Sequence, residues 1–176
     1  MNKTNTHVNN HLDAKVYVNK YSFDIIEDYE VDEKNTPWVQ ELLTEIEEDI
    51  GNEGEYPKAT MKIEAQITRK TNAFLGDHLI FKGDLSAQFH QPCGRCLYPL
   101  AEELNLNLAA AFLHESQEQK PEYAEATTVF ADGQEMELYF FRKGVADLKE
   151  FIHEQIYIEI TPFPRCEGEC KNPVLY

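Results

Sequence analysis

Four stretches of the chain alternate between apolar and polar positions, the period of a half-buried strand. Met61, Ile63, Ala65 and Ile67 alternate with Lys62, Glu64, Gln66 and Thr68. Leu79, Phe81, Leu85, Ala87 and Phe89 alternate with Lys82, Asp84, Ser86 and Gln88, after a loop containing Gly76-Asp77. Leu104, Leu106, Leu108, Ala110 and Phe112 form a third series, and Met136, Leu138 and Phe140 a fourth, preceded by the turn Asp132-Gly133. Two other stretches repeat at helical spacing. Val39, Leu42, Leu43, Ile46 and Ile50 follow Thr36-Pro37, a hydroxyl N-cap with proline at the first helical position, and Gly51 is placed to cap the end. The outer face of that helix carries Glu41, Glu45, Glu47 and Glu48. Leu148, Phe151, Ile152 and Ile156 follow the capping-box-like run Asp147-Leu148-Lys149-Glu150, and Pro162 and Pro164 stop the second helix.

The pattern predicts one α+β domain over 14–176, led by a flexible tail over 1–13. A mainly antiparallel sheet is expected from strands near 61–68, 79–89, 103–113 and 136–141. Helices near 37–50 and 148–160 should cover one apolar face, and a cysteine-bearing C-terminal tail should follow. Val16, Val18, Tyr21 and Phe23 suggest one or two short strands ending about Ile26. Glu27 to Asn35 reads as an acidic loop, and His114 to Ala126, polar with Pro121, as a long mobile one.

Composition narrows the setting. The chain has 176 residues, 42% apolar, with ten Phe and nine Tyr, enough for a packed core. Its beginning, Met1-Asn2-Lys3-Thr4-Asn5-Thr6-His7, has no apolar run of the secretory type, and no stretch approaches the ~20 apolar residues of a membrane span. A reducing, cytoplasmic setting is expected, where thiols and metal sites outnumber disulfides. The formal net charge of −16 opposes direct binding to nucleic-acid backbones and suits a basic partner. It also fits an acidic surface that serves only solubility.

The four cysteines fall into two pairs. Cys93 and Cys96 stand in Gln91-Pro92-Cys93-Gly94-Arg95-Cys96-Leu97-Tyr98-Pro99, between the second and third predicted strands. Cys166 and Cys170 stand in Pro164-Arg165-Cys166-Glu167-Gly168-Glu169-Cys170-Lys171, after the second helix. Spacings of C-x-x-C and C-x-x-x-C suit a tetrahedral structural zinc ion with Cys93, Cys96, Cys166 and Cys170 as ligands. Gly94 and Gly168 would let the backbone turn tightly around the metal. Other readings stand beside this one: reduced thiols without metal, a redox-active Cys93–Cys96 pair, or a disulfide. A redox pair usually starts a helix, whereas the alternation from Leu104 argues strand; the expected compartment argues against a disulfide. His90 could substitute as a ligand, although it reads better as a solvent-facing strand residue. Arg95, Arg165 and Lys171 flank the cysteines, offset by Glu167 and Glu169, a faint mark of an RNA- or partner-facing surface.

No phosphate-binding glycine loop, nucleophile elbow or zinc-protease motif occurs, so no enzyme activity is expected. The order of elements, the turn Pro-Cys-Gly-Arg-Cys-Leu-Tyr-Pro and the late Cys166/Cys170-Lys171 segment resemble the YceD family, the large ribosomal RNA subunit accumulation proteins of bacteria and plastids. Cys93, Arg95, Cys96 and Leu97 match its C-x-R-C-L turn; Cys166, Cys170 and Lys171 match its C-x-x-x-C-K segment. Many members continue into a further C-x-x-C, where this sequence has Asn172-Pro173-Val174-Leu175-Tyr176. Any metal here would therefore need all four cysteines. The resemblance implies a non-enzymatic role in accumulation or processing of large-subunit ribosomal RNA. The expected partner is a precursor particle or a basic ribosomal protein, met through acidic runs such as Glu41 to Asp49 and Glu115 to Glu125, with contact to the RNA indirect. The competing classes are a thiol oxidoreductase and a zinc-stapled adaptor unrelated to ribosomes.

Overall fold

The computed structural model describes residues 7–50 and 56–172. In chain order it contains β1 (Val8–Asn9), β2 (Lys15–Tyr17), β3 (Ile26–Asp32), α1 (Pro37–Asp49), β4 (Thr60–Asn72), β5 (Gly76–Pro92), β6 (Pro99–His114), β7 (Thr128–Ala131), β8 (Gln134–Phe141), β9 (Val145–Asp147) and α2 (Leu148–Glu159). Seven strands form one sheet in the order β1-β3-β4-β5-β6-β8-β7, and β2 pairs with β9 in a small second sheet. The large sheet is antiparallel except at β1–β3 and β6–β8. This is the expected α+β architecture, with the four predicted strands and both helices in place.

The alternation decides which way each strand faces. Met61, Ile63, Ala65 and Ile67 of β4, with Leu79, Phe81, Leu85, Ala87 and Phe89 of β5, point into one core under both helices. Val39, Leu42, Leu43 and Ile46 descend from α1, and Leu148, Phe151, Ile152 and Ile156 from α2. Phe151 lies at the centre, edge-on to Phe81, Phe112 and Tyr139 at centroid distances of 5.4, 5.9 and 5.1 Å. Gly83 faces the same side. A Cβ there would come within 2.4 Å of the Glu64 carbonyl oxygen, so β4 and β5 approach closely because that side chain is missing. Lys149 ties the helices together, its Nζ 2.8 Å from Glu45 and 3.4 Å from Glu41, and Tyr157 bonds Asp49. The opposite face holds a smaller cluster at one end: Leu75, Ile80, Ala111, Leu113, Ala131, Met136 and Leu138.

Several local expectations are corrected. Glu27 to Asn35 is not an acidic loop: most of it is β3, whose Tyr29 and Val31 are buried while Glu30 faces solvent. Five acidic residues within 27–33 hide this two-residue alternation, because only two apolar side chains carry it. Within the segment over 1–13, residues 8, 9 and 12 dock. Val8 and Asn9 pair with Asp28 and Tyr29, and buried Leu12 accepts the Trp38 Nε1–H bond at 2.6 Å. Residues 115–126 are tied down rather than loose. A 3₁₀ turn spans Glu115–Gln119, Arg142 reaches Glu118 at 2.8 Å, and Tyr123 and Ala126 pack on the smaller cluster. Thr36 stands at the N-cap of α1, but its hydroxyl donates to Asn35 Oδ1 instead of capping. Asp147 does cap α2, accepting from the Glu150 N–H at 3.0 Å. The expected cap at Gly51 lies outside the described residues. Among the described residues, no helix is long and apolar enough to cross a membrane.

Candidate metal centre

β5 and β6 are paired down to Pro92 opposite Pro99. Neither proline can donate a backbone hydrogen bond, so the ladder ends there and the chain between is free to turn. Cys93 N–H donates to the Tyr98 carbonyl at 2.8 Å, and Leu97 N–H to the Cys93 carbonyl at 3.0 Å. Leu97 has φ 58°. The left-handed position of this turn therefore falls on Leu97, not on Gly94 as the motif suggested. What Gly94 supplies is its N–H, which donates to the Pro164 carbonyl at 2.8 Å and fastens the tail to the turn. Gly168 does adopt positive φ, 73°, as expected.

Beyond α2, none of residues 161–172 is buried, and Phe163 is 79% exposed. Apolar packing does not hold this tail. It is brought back by the Gly94–Pro164 bond, by sulfur, and by Lys171, whose Nζ lies 5.0 Å from the centre of the Tyr98 ring. The sulfur contacts converge. The Cys166 N–H points at Cys93 Sγ at 3.4 Å, the Arg95 N–H at the same sulfur at 3.5 Å, and Cys96 Sγ lies 3.7 Å from Cys166 Sγ. All four sulfurs, of Cys93, Cys96, Cys166 and Cys170, lie within 4.8 Å of one another. The thiols are free, with Cys93 and Cys96 fully buried and Cys166 and Cys170 half-buried.

This geometry suits a metal. Zinc–thiolate bonds of ~2.3 Å in a tetrahedron place sulfurs ~3.8 Å apart, and the Cys96–Cys166 separation of 3.7 Å already matches that edge. The protonation pattern agrees. The N–H groups of Arg95 and then Cys96 push Cys93 down to about 6. Burial pushes Cys170 up to about 11, with the neighbouring Cys96 and Cys93 adding to the rise. Cys166 gains an N–H bond from Lys171 that lowers it, yet burial and the Cys96 and Cys93 sulfurs outweigh that and raise it. Four thiols this close cannot all ionise without a cation among them.

His90 is not in the sulfur group: it lies in β5 with its ring stacked 6.2 Å from that of Tyr56. Sequence reading missed the Gly94–Pro164 bond and the Lys171–Tyr98 contact. The residue types of the second were visible in the motif, but their proximity depends on where the tail returns. The C-x-x-C lies in a turn between strands and not at a helix start.

A model of the family described as large ribosomal RNA subunit accumulation protein YceD matches residues 81–176, more than half of the chain and all four cysteines. No curated protein and no solved structure matches the chain.

Proposed function

The chain belongs to the YceD family, the large ribosomal RNA subunit accumulation proteins, and from that premise we propose that it is a non-enzymatic factor for accumulation of large-subunit ribosomal RNA. It acts by binding a precursor particle or a basic ribosomal protein, and its C-terminal tail is stapled to the sheet by zinc. The family match carries the ribosomal assignment. The convergence of four sulfurs within 4.8 Å supports the staple, with Cys93, Cys96, Cys166 and Cys170 as ligands.

Bound zinc would supply a divalent charge and four directional bonds. The chain's own groups prepare the place. Backbone N–H groups of Arg95, Cys96 and Cys166 hold the Cys93 sulfur as thiolate. The prolines at 92 and 99 end the ladder so that the turn can present both sulfurs, and Gly94 grips the returning tail. The net charge of −16 supports a protein contact over a direct grip on RNA phosphates. An oxidoreductase is less well supported: Cys93 and Cys96 are fully buried, out of reach of a substrate disulfide, and start no helix.

The test pairs two measurements on protein purified without chelator. Elemental analysis should find close to one zinc per chain, falling towards none in Cys96→Ser/Cys166→Ser. The unaltered protein should co-sediment with large-subunit precursors from cell extracts. Thiol-exchange turnover abolished by Cys93→Ser alone, or absence from precursor fractions, would refute the respective half.

A further inference from the structure

The side of the sheet away from the helices is uncovered over β3, β4, β5 and β6 once past the smaller apolar cluster. Register sets a row of three carboxylates across it: Glu30 is opposite Glu64, and Glu64 opposite Asp84. Adjacent strands lie about 4.8 Å apart, so three negative charges share roughly 10 Å of surface. Like charges directly across a sheet are unfavourable. Relief is partial: Lys62 reaches Glu64 at 2.7 Å and Glu30 at 3.1 Å, while Asp84 meets the neutral Asn107 amide at 3.0 Å. Asp28 adds a fourth carboxylate, bonded by the neutral Gln66 amide at 2.8 Å. Lys82, the nearby cation, is spent on Asp132. An open groove of about 640 Å³ runs over these residues, continued by a depression of about 470 Å³ towards Asn105 and Asn107.

Part of the acidic runs that stand out in the sequence is engaged within the fold. Glu41 and Glu45 meet Lys149, Asp49 meets Tyr157, and Glu118 meets Arg142. The row on the open face is left with more negative charge than the fold neutralises.

We propose that this groove is the docking surface for a lysine- and arginine-rich segment of a partner protein. The proposal rests on the ribosomal reading above and names the surface that reading uses. Charge complementarity selects the occupant, since carboxylates repel RNA phosphates. The carboxylates form no group converging on one point among the described residues, unlike the four sulfurs, so separated side-chain cations suit them better than a metal ion. The groove lies on strands fixed by long registers, so it is formed before the partner arrives.

The decisive comparison uses the full zinc-loaded chain and a labelled peptide alternating lysine and serine over about sixteen residues, in about 50 mM salt where screening is weak. Glu30→Gln/Glu64→Gln/Asp84→Asn should weaken binding at least tenfold. The control Glu48→Gln/Glu122→Gln/Glu125→Gln, an equal charge change at exposed sites elsewhere, should weaken it less than twofold. The groove variant should also unfold at a urea concentration equal to or above that of the unaltered protein, because repulsion is removed. Equal loss in both variants, failure of the unaltered chain to bind, or preference for single-stranded RNA would overturn the proposal. In extracts, co-sedimentation with precursors that survives the groove substitutions would also overturn it. Peptide binding that needs the groove, with no co-sedimentation at all, would keep the surface and remove the ribosomal assignment instead.

Discussion

The helix-covered side of the sheet and the cysteine centre at its end are held by opposite means. Under the helices, Phe81, Phe112 and Phe151 sit among leucines and isoleucines with almost no exposed surface. At the cysteine centre, Phe163 and Leu97 face solvent at 79% and 60% exposure, while Cys93 and Cys96 are fully buried. Burial of apolar area is non-directional and spread over many side chains. The zinc coordination proposed for the centre would be directional and rest on four atoms. The first region should therefore lose stability in proportion to what is removed, and the second should lose its order all at once without taking the first with it.

The largest effect is expected at the centre of the covered side. Phe151→Ala removes a ring that touches three others and leaves a cavity. The cost should be about 3–5 kcal/mol, read from the urea midpoint. Zinc content per folded molecule should not change. A loss of zinc in step with folding would mean that the two regions are not separable.

Gly83→Ala should follow, at roughly 1–3 kcal/mol. Its Cβ would meet the Glu64 carbonyl oxygen, a backbone atom that cannot swing aside, so β4 and β5 must separate locally. A neutral outcome would show that the closeness of these strands is not needed for the core.

Chelation is the converse test. With the proposed zinc in place, stripping it should lower the exchange protection of the Gly94 and Cys166 amides at least tenfold, since both bonds join turn to tail. Amides in the middle of β4 and β5 should keep their protection, and far-ultraviolet dichroism should hold. Collapse of the whole dichroism signal on chelation would show that the body depends on the metal too.

How much of this was legible in the sequence follows the same division. Met61 to Thr68 and Leu79 to Phe89 gave strands, and Val39 to Ile50 a helix, because burial on one face imposes a period that survives any tertiary detail. β3 was lost because only Tyr29 and Val31 carry its alternation among acids, and with it went the carboxylate row, which exists only through register. The parallel pairing of β6 with β8 was equally hidden, since no local pattern records which distant strand lies alongside. Spacing made the four cysteines visible as a set. Their approach to within 4.8 Å depends on the tail after Pro162 and Pro164 turning back to Gly94, a contact made by backbone atoms that carry no sequence signature.

The smallest effect sharpens the comparison by asking what a purely ionic tie contributes. Asp132, at the tight turn between β7 and β8, lies 2.5 Å from Lys70 Nζ and also pairs with Lys82. Lys70 first, then Lys82, holds its carboxyl below the ordinary 3.8. A carboxyl depressed on folding stabilises the protein at pH values above its unfolded value, and the contribution disappears as pH falls through the folded one. Asp132→Asn should therefore lower stability by only about 0.5 kcal/mol near neutral pH, because the group is partly exposed and screened. The gap between the two proteins should stay constant down to about pH 5, then close as the pH drops below 3.8. It should also narrow in high salt, unlike the loss from Phe151→Ala. Urea titrations at a series of pH values read this directly. A gap that persists under acid would show that the loss does not come from the ionic tie, and turn geometry would not explain it either, since the φ of 48° at Asp132 is one that Asn also tolerates; the ionic tie would then contribute nothing measurable beside the core.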